Sequence, residues 1–483
     1  MIAIDRKAPK ALHRQIYDAY RKAVVDGILR PGQRIPSTRE LAAGLGVSRF
    51  PVLNAYEQLL AEGYFESRVG AGTVISSSLP ERFTLNEPSG KQWTPPRSGP
   101  RPIARRTSIL PQIEIPQWLQ GQGAFGVGQV AFDQFPQKLW SKLVARRCRE
   151  MDAQSCGYGR KMGHQALREA IASYLRTSRS VRCEPEQVMI VSGSQQALEI
   201  SGRVLLDPGS SVWVEDPGYP FAREALALSG CQLVPVPVDR EGLNVTVGIK
   251  RCRKARVAVV TPSHQFPLGV TLSAMRRLQL LDWAKSTGSW IIEDDYDSEF
   301  RYASSQVTSL QGLDVNARVI YIGTFSKVLF PSLRLGYVVI PLDLVDHFGK
   351  VRRAMDIASP TFYQEVLAEF IGEGHFARHL RRMRVLYHER RTTLVDSIRK
   401  ELGSMVEVLG DEAGLQLTVI LPKGSRDREI AERAAGENLF LWPLSDSYLG
   451  EAVHPGFILG FGSVAATDIP RAVRKLGRLL TSG

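Results

Sequence analysis

Five cysteines in 483 residues (Cys148, Cys156, Cys183, Cys231, Cys252) are too few and too scattered for a disulfide framework. No CxxC or Cys/His ligand spacing occurs, so no metal site is expected. No apolar run approaches membrane-spanning length. The opening MIAIDRKAPK has no apolar signal-peptide core. The expected setting is the reducing cytoplasm, with no membrane contact. No internal repeat is present. Acidic charge is also short: 49 Asp and Glu stand against 62 Lys and Arg, for a net +13. That balance favours an anionic partner such as nucleic acid. With 43% hydrophobic residues the chain can bury a large core, and its length suggests two to four domains.

What is present centres on one stretch, SWIIEDDYDSEFRY and, after a gap, RVIYIGTFSKVLFPSLRLGY. Ser289–Asp294 and Arg318–Gly323 are short apolar runs ended by polar residues, as in buried parallel strands. Asp294, Asp295 and Tyr296 follow the first; Thr324, Ser326 and Lys327 follow the second, and Arg334 comes seven residues after the lysine. Ligands of open α/β sheets sit at the carboxyl ends of strands. A lysine, a carboxylate, a tyrosine, hydroxyls and an arginine gathered there suit pyridoxal phosphate. Its aldehyde needs a lysine, its ring nitrogen a carboxylate, and its phosphate hydroxyls, backbone amides and a guanidinium fork. Asp-Asp-Tyr-Asp alone would also fit a metal-binding or helix-capping cluster.

At the N-terminus, Leu12, Ile16, Ala19, Ala23 and Ile28 fall at helical spacing. Ser37 to Glu40 is a capping box that starts a second helix, with Leu41 and Leu45 inward and Gly46 as its stop. Ser48 is placed to cap a third, whose stripe is Val52, Tyr56, Leu59 and Leu60. Tyr64–Ile75 reads as a hairpin turning at Gly70–Gly72. Helix, turn, helix and wing form a DNA-binding arrangement. The motifs IPSTRELAAGLGVSR and GAGT resemble the GntR-type winged helix. The resemblance implies that Arg39 and Arg49 face DNA, with Ser37, Thr38 and Ser48 near phosphates and Gly70 in the wing. Leu53 stands where many relatives carry an arginine.

From residue 77 to about 115 the chain is rich in proline, glycine, serine and arginine, with no apolar period, and reads as a tether. Beyond it, Val188–Val191 leads into Gly193, Ser194, Gln195 and a helical stripe, a phosphate site made from helix amides. Ser211–Glu215 ends in DPGYP. Tyr219 there is either a ring-stacking partner of the cofactor or a turn-anchoring core tyrosine.

The order of SGSQQALEI, EDPGYP, TPSHQFPLG, IIEDDYDSEFRY and GTFSKVLFPSLRLGY resembles the fold-type-I aminotransferases. With the N-terminal module it resembles the MocR-type regulators, a branch of the GntR group. The resemblance implies an α/β chain: a winged helix-turn-helix (1–76), a linker (77–115) and an aminotransferase-like domain (116–483). That domain would have a large parallel or mixed-sheet part to about 341 and a smaller α/β part after it. It implies Lys327 as the Schiff-base lysine, Asp294 on the pyridine nitrogen and Tyr296 on the ring hydroxyl. Ser194, Gln195, Thr324, Ser326 and Arg334 would hold the phosphate, and Tyr158 that of the neighbouring subunit in a homodimer.

Two departures matter. Where aminotransferases carry an asparagine for the ring hydroxyl, this chain has His264, Gln265, Phe266 and Pro267, so His264 or Gln265 is the expected substitute. Residues 454–462 hold no carboxylate-gripping arginine, which leaves Arg223 as a candidate. Arg378, Arg381, Arg382, Arg384, Arg390 and Arg391 read as a solvated helix face. The expectation is a regulator of double-stranded DNA that senses an amine or amino acid. The alternatives are a working aminotransferase and a regulator whose effector is pyridoxal phosphate itself.

Overall fold

The computed structural model describes residues 4–68, 72–78, 104, 123–153, 156–302 and 307–481. The chain divides into two compact units, Met1–Pro102 and Ile103–Gly483. Most of the 77–115 stretch, with its prolines and arginines, lies outside the described residues, as does Gly70.

The first unit has helices α1 (Leu12–Val25), α2 (Thr38–Leu45) and α3 (Arg49–Ala61), then the antiparallel hairpin β1 (Phe65–Arg68) and β2 (Gly72–Ile75). The capping box forms: Glu40 N donates to Ser37 Oγ at 3.2 Å, and Ser37 N donates to Glu40 Oε2 at 2.7 Å. Ser48 occupies the N-cap of α3, but its side chain makes no capping bond. The buried face of α1 is Ile16, Tyr17, Tyr20 and Val24; Ile28 falls beyond the helix end and is 70% exposed, against expectation. Amphipathic tyrosines displaced the small alanines from the core-facing stripe. Tyr20, Tyr56 and Phe65 meet edge to face, with centroids 5.2–5.6 Å apart. Each such pair adds about 0.5–1.5 kcal/mol beyond its buried area.

The second unit is built on an eight-stranded sheet in the order β3-β10-β9-β8-β7-β4-β5-β6. These strands are β3 (Val188–Val191), β4 (Ser211–Asp216), β5 (Gln232–Asp239), β6 (Gly242–Leu243), β7 (Val257–Val260), β8 (Trp290–Asp295), β9 (Val319–Thr324) and β10 (Gly336–Val339). Strands β3, β7, β8 and β9 are buried along their whole length. Helices cover both faces, which is why VMIV and VAVV carry no polar alternation. The central pairs are parallel, whereas β10 runs antiparallel to both β3 and β9. Packed helices include Ser194–Leu205 and Val345–Asp356, whose Phe348 is fully buried against this sheet.

A second, antiparallel sheet has the order β11-β12-β14-β13: β11 (Glu407–Leu409), β12 (Gln416–Ile420), β13 (Trp442–Pro443) and β14 (Gly456–Gly460). The early segment around Phe125 joins it, since Gly460 N donates to the Phe125 carbonyl at 2.9 Å. The smaller part therefore draws on residues long before 342. The long helix His375–Glu401 is not a solvated arginine face throughout. Arg384 Nε donates to the Glu299 carbonyl at 2.7 Å, Arg391 to Asp411, and Arg390 to the Gly462 carbonyl. These three fasten the helix down, while Arg378, Arg381 and Arg382 stay exposed.

Candidate functional site

Strand alternation sorts the acidic run. At the carboxyl end of β8, neighbouring residues point to opposite faces of the sheet. Asp295 turns to one side and is consumed structurally: Arg179 Nε donates to its Oδ2 at 2.8 Å and the Tyr321 hydroxyl at 2.5 Å. Asp294 turns to the other. Its Oδ1 is buried with no hydrogen-bond partner. A buried carboxylate oxygen without a donor is costly and calls for one. Burial, with Asp295 and Glu215 nearby, pushes the Asp294 carboxyl up to about 7.

Strand β9 lies beside β8 with Asp295 opposite Gly323, so Thr324 and the loop after it emerge next to Asp294. Lys327 stands in that loop. Burial lowers its pKa, offset in part by Asp297 and Asp294. A lowered pKa yields the free amine that attacks an aldehyde. Its Nζ lies 3.5 Å from the carbonyl oxygen of Gly128. Gly128 has φ +80°, and a Cβ there would lie 2.5 Å from the same nitrogen.

The groups expected to hold a phosphate lie beside three strands. Gly193, with φ +86°, precedes the helix Ser194–Leu205. Arg334, itself at φ +51°, donates from Nη2 to the Ser192 carbonyl at 2.8 Å. A Cβ on Gly193 would press on that guanidinium at 3.1 Å. Thr324 Oγ1 donates to Ser326 Oγ at 3.0 Å and accepts from Ser326 N at 3.2 Å. Helix amides, two hydroxyls and a guanidinium thus gather at one edge, as an anionic group requires. Gln195 is partly diverted: its Nε2 donates to the Phe221 carbonyl at 2.8 Å.

Tyr219 is edge-on to Phe266 at 5.2 Å and to Phe221 at 5.4 Å. Burial pushes its hydroxyl upward, with Asp294 adding to the rise and Arg334 opposing it. Tyr296 donates to or accepts from His264 Nδ1 at 3.2 Å. His264 also faces the Asp297 carboxylate at 3.1 Å and the Gly410 carbonyl at 3.4 Å. Gln265 is not the asparagine substitute: its Nε2 is spent on Pro217, Phe266 and Glu215. Arg223 is partly engaged as well, with its buried Nε left without a partner. Its Nη2 donates to the Glu215 and Ser447 carbonyls at 3.0 and 2.6 Å, pinning the loop before β14 to β4. Tyr158 is 89% exposed. Gly128 and Asp297 escaped the sequence reading; the Gly-Val-Gly run at 126–128 and the fourth acid of EDDYD were their signals.

In the first unit, Arg49 Nε donates to Thr38 Oγ1 at 3.0 Å, so the starts of α2 and α3 meet. Arg39, Ser37 and Ser48 are exposed around that junction.

The comparisons fit this geometry. Residues 12–75 match the family model "Bacterial regulatory proteins, gntR family", and residues 123–443 match "Aminotransferase class I and II". The probable rhizopine catabolism regulatory protein MocR of Rhizobium meliloti is 38% identical over 99% of this chain and 95% of its own length. The chain belongs to the MocR-type regulators of the GntR group. It is a pyridoxal-phosphate-dependent transcriptional regulator with a DNA-binding domain ahead of an aminotransferase-like domain. The pyridoxine biosynthesis transcriptional regulator PdxR of Corynebacterium glutamicum is 30% identical over 96% of this chain and 94% of its length. Among solved structures, Pyrococcus horikoshii kynurenine aminotransferase, in complex with PMP, shares 26% identity. It superposes with a TM-score of 0.73 over 79% of this chain and 97% of that one. LysN of Thermus thermophilus, complexed with N-(5'-phosphopyridoxyl)-L-leucine, shares 28% identity at the same TM-score and coverage. No helix among the described residues is long and apolar enough to cross a membrane.

Proposed function

We propose that Lys327 carries the cofactor and that displacement of its amine by an incoming amino compound is the signal the regulator transmits to DNA. The observation that carries this is the buried, unpartnered Asp294 Oδ1 beside the Lys327 amine. Pyridoxal phosphate supplies an aldehyde that one amine can take over from another. The chain supplies the rest. Asp294 would accept a hydrogen bond from the ring nitrogen and, paired with that cation, would be held ionised. Tyr296, oriented by His264, would serve the ring hydroxyl. Gly193, Ser194, Gln195, Thr324, Ser326 and Arg334 would hold the phosphate, and Tyr219 would pack on the ring.

The DNA face is Arg39 and Arg49, with Ser37, Thr38 and Ser48 near phosphates and Gly70 in the wing. The active form is a homodimer in which the exposed Tyr158 serves the partner's phosphate. One dimer then presents two winged helices to two half-sites. Efficient transamination is not expected, because residues 454–462 hold no arginine and Nη2 of Arg223 is already bound to backbone carbonyls. A second reading, with pyridoxal phosphate itself as effector, draws on the likeness to PdxR.

The test is an absorbance scan of purified protein with amines, amino acids and free cofactor, alongside operator binding. A visible band that shifts with an amino compound, with matching change in DNA affinity and little keto acid formed, is expected. Steady multiple-turnover conversion of an amino acid with 2-oxoglutarate or pyruvate would restore the enzyme instead.

A further inference from the structure

The side of the site beyond Lys327 is apolar. Val127, next to Gly128, belongs to one buried cluster with Phe266, Trp442, Leu444 and Ile458. Tyr219, Phe221, Leu268 and Tyr296 are partly buried against it. Phe266 and Trp442 have centroids 5.1 Å apart, and Phe221 lies 6.4 Å from Trp442. This wall starts where the lysine amine meets the Gly128 carbonyl and runs across to β14 of the small sheet.

Among the described residues, the guanidinium groups bordering this region each have at least one nitrogen engaged, which spoils a two-pronged fork. Arg223 is bound to two carbonyls, Arg334 to Ser192, Arg179 to Asp295, and Arg301 to Ser263 and Thr271. Arg390 reaches the Gly462 carbonyl. A carboxylate brought beside the amine would be moved from water into an apolar wall with no fork to receive it, which is costly.

We infer that the amino compound sensed by this regulator is an aromatic or branched apolar primary amine that has no carboxylate next to its nitrogen. This rests on the sensor reading above and names the ligand class for the same site. The amine nitrogen displaces Lys327, and the apolar group packs on Phe266, Trp442 and Ile458. Exchange needs only a free amine: the C=N bond to lysine is replaced by a C=N bond to the incoming amine, and the hydrogens that the incoming nitrogen loses end on the released lysine nitrogen. No oxidant or reductant is involved.

The test uses the full-length protein loaded with pyridoxal phosphate. The shift of its visible band is titrated with 2-phenylethylamine against phenylalanine, with 3-methylbutylamine against leucine, and with methylamine. Concentrations are compared as the neutral amine. Each decarboxylated member is expected to half-saturate at least tenfold below its amino acid, and methylamine to need at least tenfold more than 2-phenylethylamine. Trp442→Ala should remove most of the advantage of 2-phenylethylamine over methylamine, and Ile458→Arg should reverse the preference toward phenylalanine. Should Ile458→Arg fail to fold, the wild-type pairs still decide. Amino acids equal to or tighter than their amines would overturn the ligand class and leave the sensor reading standing. A band that no amine shifts would overturn both.

Discussion

The amine of Lys327 and the backbone of Gly128 share one small space: Nζ lies 3.5 Å from the Gly128 carbonyl, and a Cβ on that glycine would sit 2.5 Å from it. The left-handed backbone at φ +80° also disfavours any side chain there. Gly128→Ala should therefore act on the cofactor more than on the fold. It is expected to weaken pyridoxal phosphate binding by tenfold or more, with about 1–3 kcal/mol of strain. Titration of the visible band checks this. An unchanged affinity would mean that the two groups do not meet in the loaded protein.

Lys327 reacts as the neutral amine, and burial lowers its pKa from the usual 10.5. The rate of cofactor capture by the apoprotein should rise with pH and level off below that value, because more lysine is neutral until the depressed midpoint is passed. Stopped-flow absorbance at fixed cofactor concentration measures it. A rate still climbing steeply near pH 10 would contradict the burial argument. Lys327→Ala should stay folded and show no visible band.

On the DNA side, Arg49 is tied to Thr38 by a 3.0 Å hydrogen bond at the junction of α2 and α3. Arg39→Ala and Arg49→Ala should each weaken operator binding. A lost phosphate contact reduces the salt slope by about 0.9, whereas a lost base contact costs about 1–3 kcal/mol at the correct site only. Thr38→Val, which frees Arg49, should have a smaller effect than Arg49→Ala. Fluorescence anisotropy over a salt series separates these cases. If both arginine variants bind like the wild type, the assigned face is wrong.

His264 offers a test by stability. Burial alone would lower its pKa, but the Asp297 carboxylate and the Gly410 carbonyl outweigh that, and the net shift is upward from 6.5. A raised folded-state pKa contributes stability that is complete below the unfolded value and fades as pH rises through the folded one. His264→Gln should thus cost most at acidic pH and progressively less in alkali. Urea midpoints at pH 6 and pH 9 would show it; a cost that grows with pH would mean that the histidine is neutral throughout.

Much of this architecture was legible locally. The IPSTRE capping box and the apolar runs of β8 and β9 depend on neighbours in sequence, and their predicted limits fell within a residue of the observed strands. The residues expected at the cofactor stand together in the structure because strand ends collect them. What was not legible depends on distant partners. Nothing near Arg223 announces that its hydrogen bond goes to the Ser447 carbonyl, 224 residues on. Nor does His264 announce Gly410, 146 residues away. Helical spacing marked Ile28 as core, yet α1 stops before it and tyrosines fill the interior. The arginines of His375–Glu401 looked alike in sequence, and only the surrounding carbonyls distinguish anchors from solvated groups.

The hydrogen bond from Arg334 to Ser192 joins residues 142 apart in the chain. It forms because β10 runs back between β3 and β9, so this edge of the sheet closes only when the last of these strands is in place. A growing chain that has not reached residue 327 has the helix start at Ser194 but neither Lys327 nor the guanidinium. Long-range closure of this kind is slow relative to local structure. Cofactor capture is therefore a proofreading mark on the finished sheet. Once captured, the cofactor binds only the native state and deepens it by mass action. In a cell poor in pyridoxal phosphate, the same chain would be less numerous as well as less occupied, so its abundance would carry part of the message.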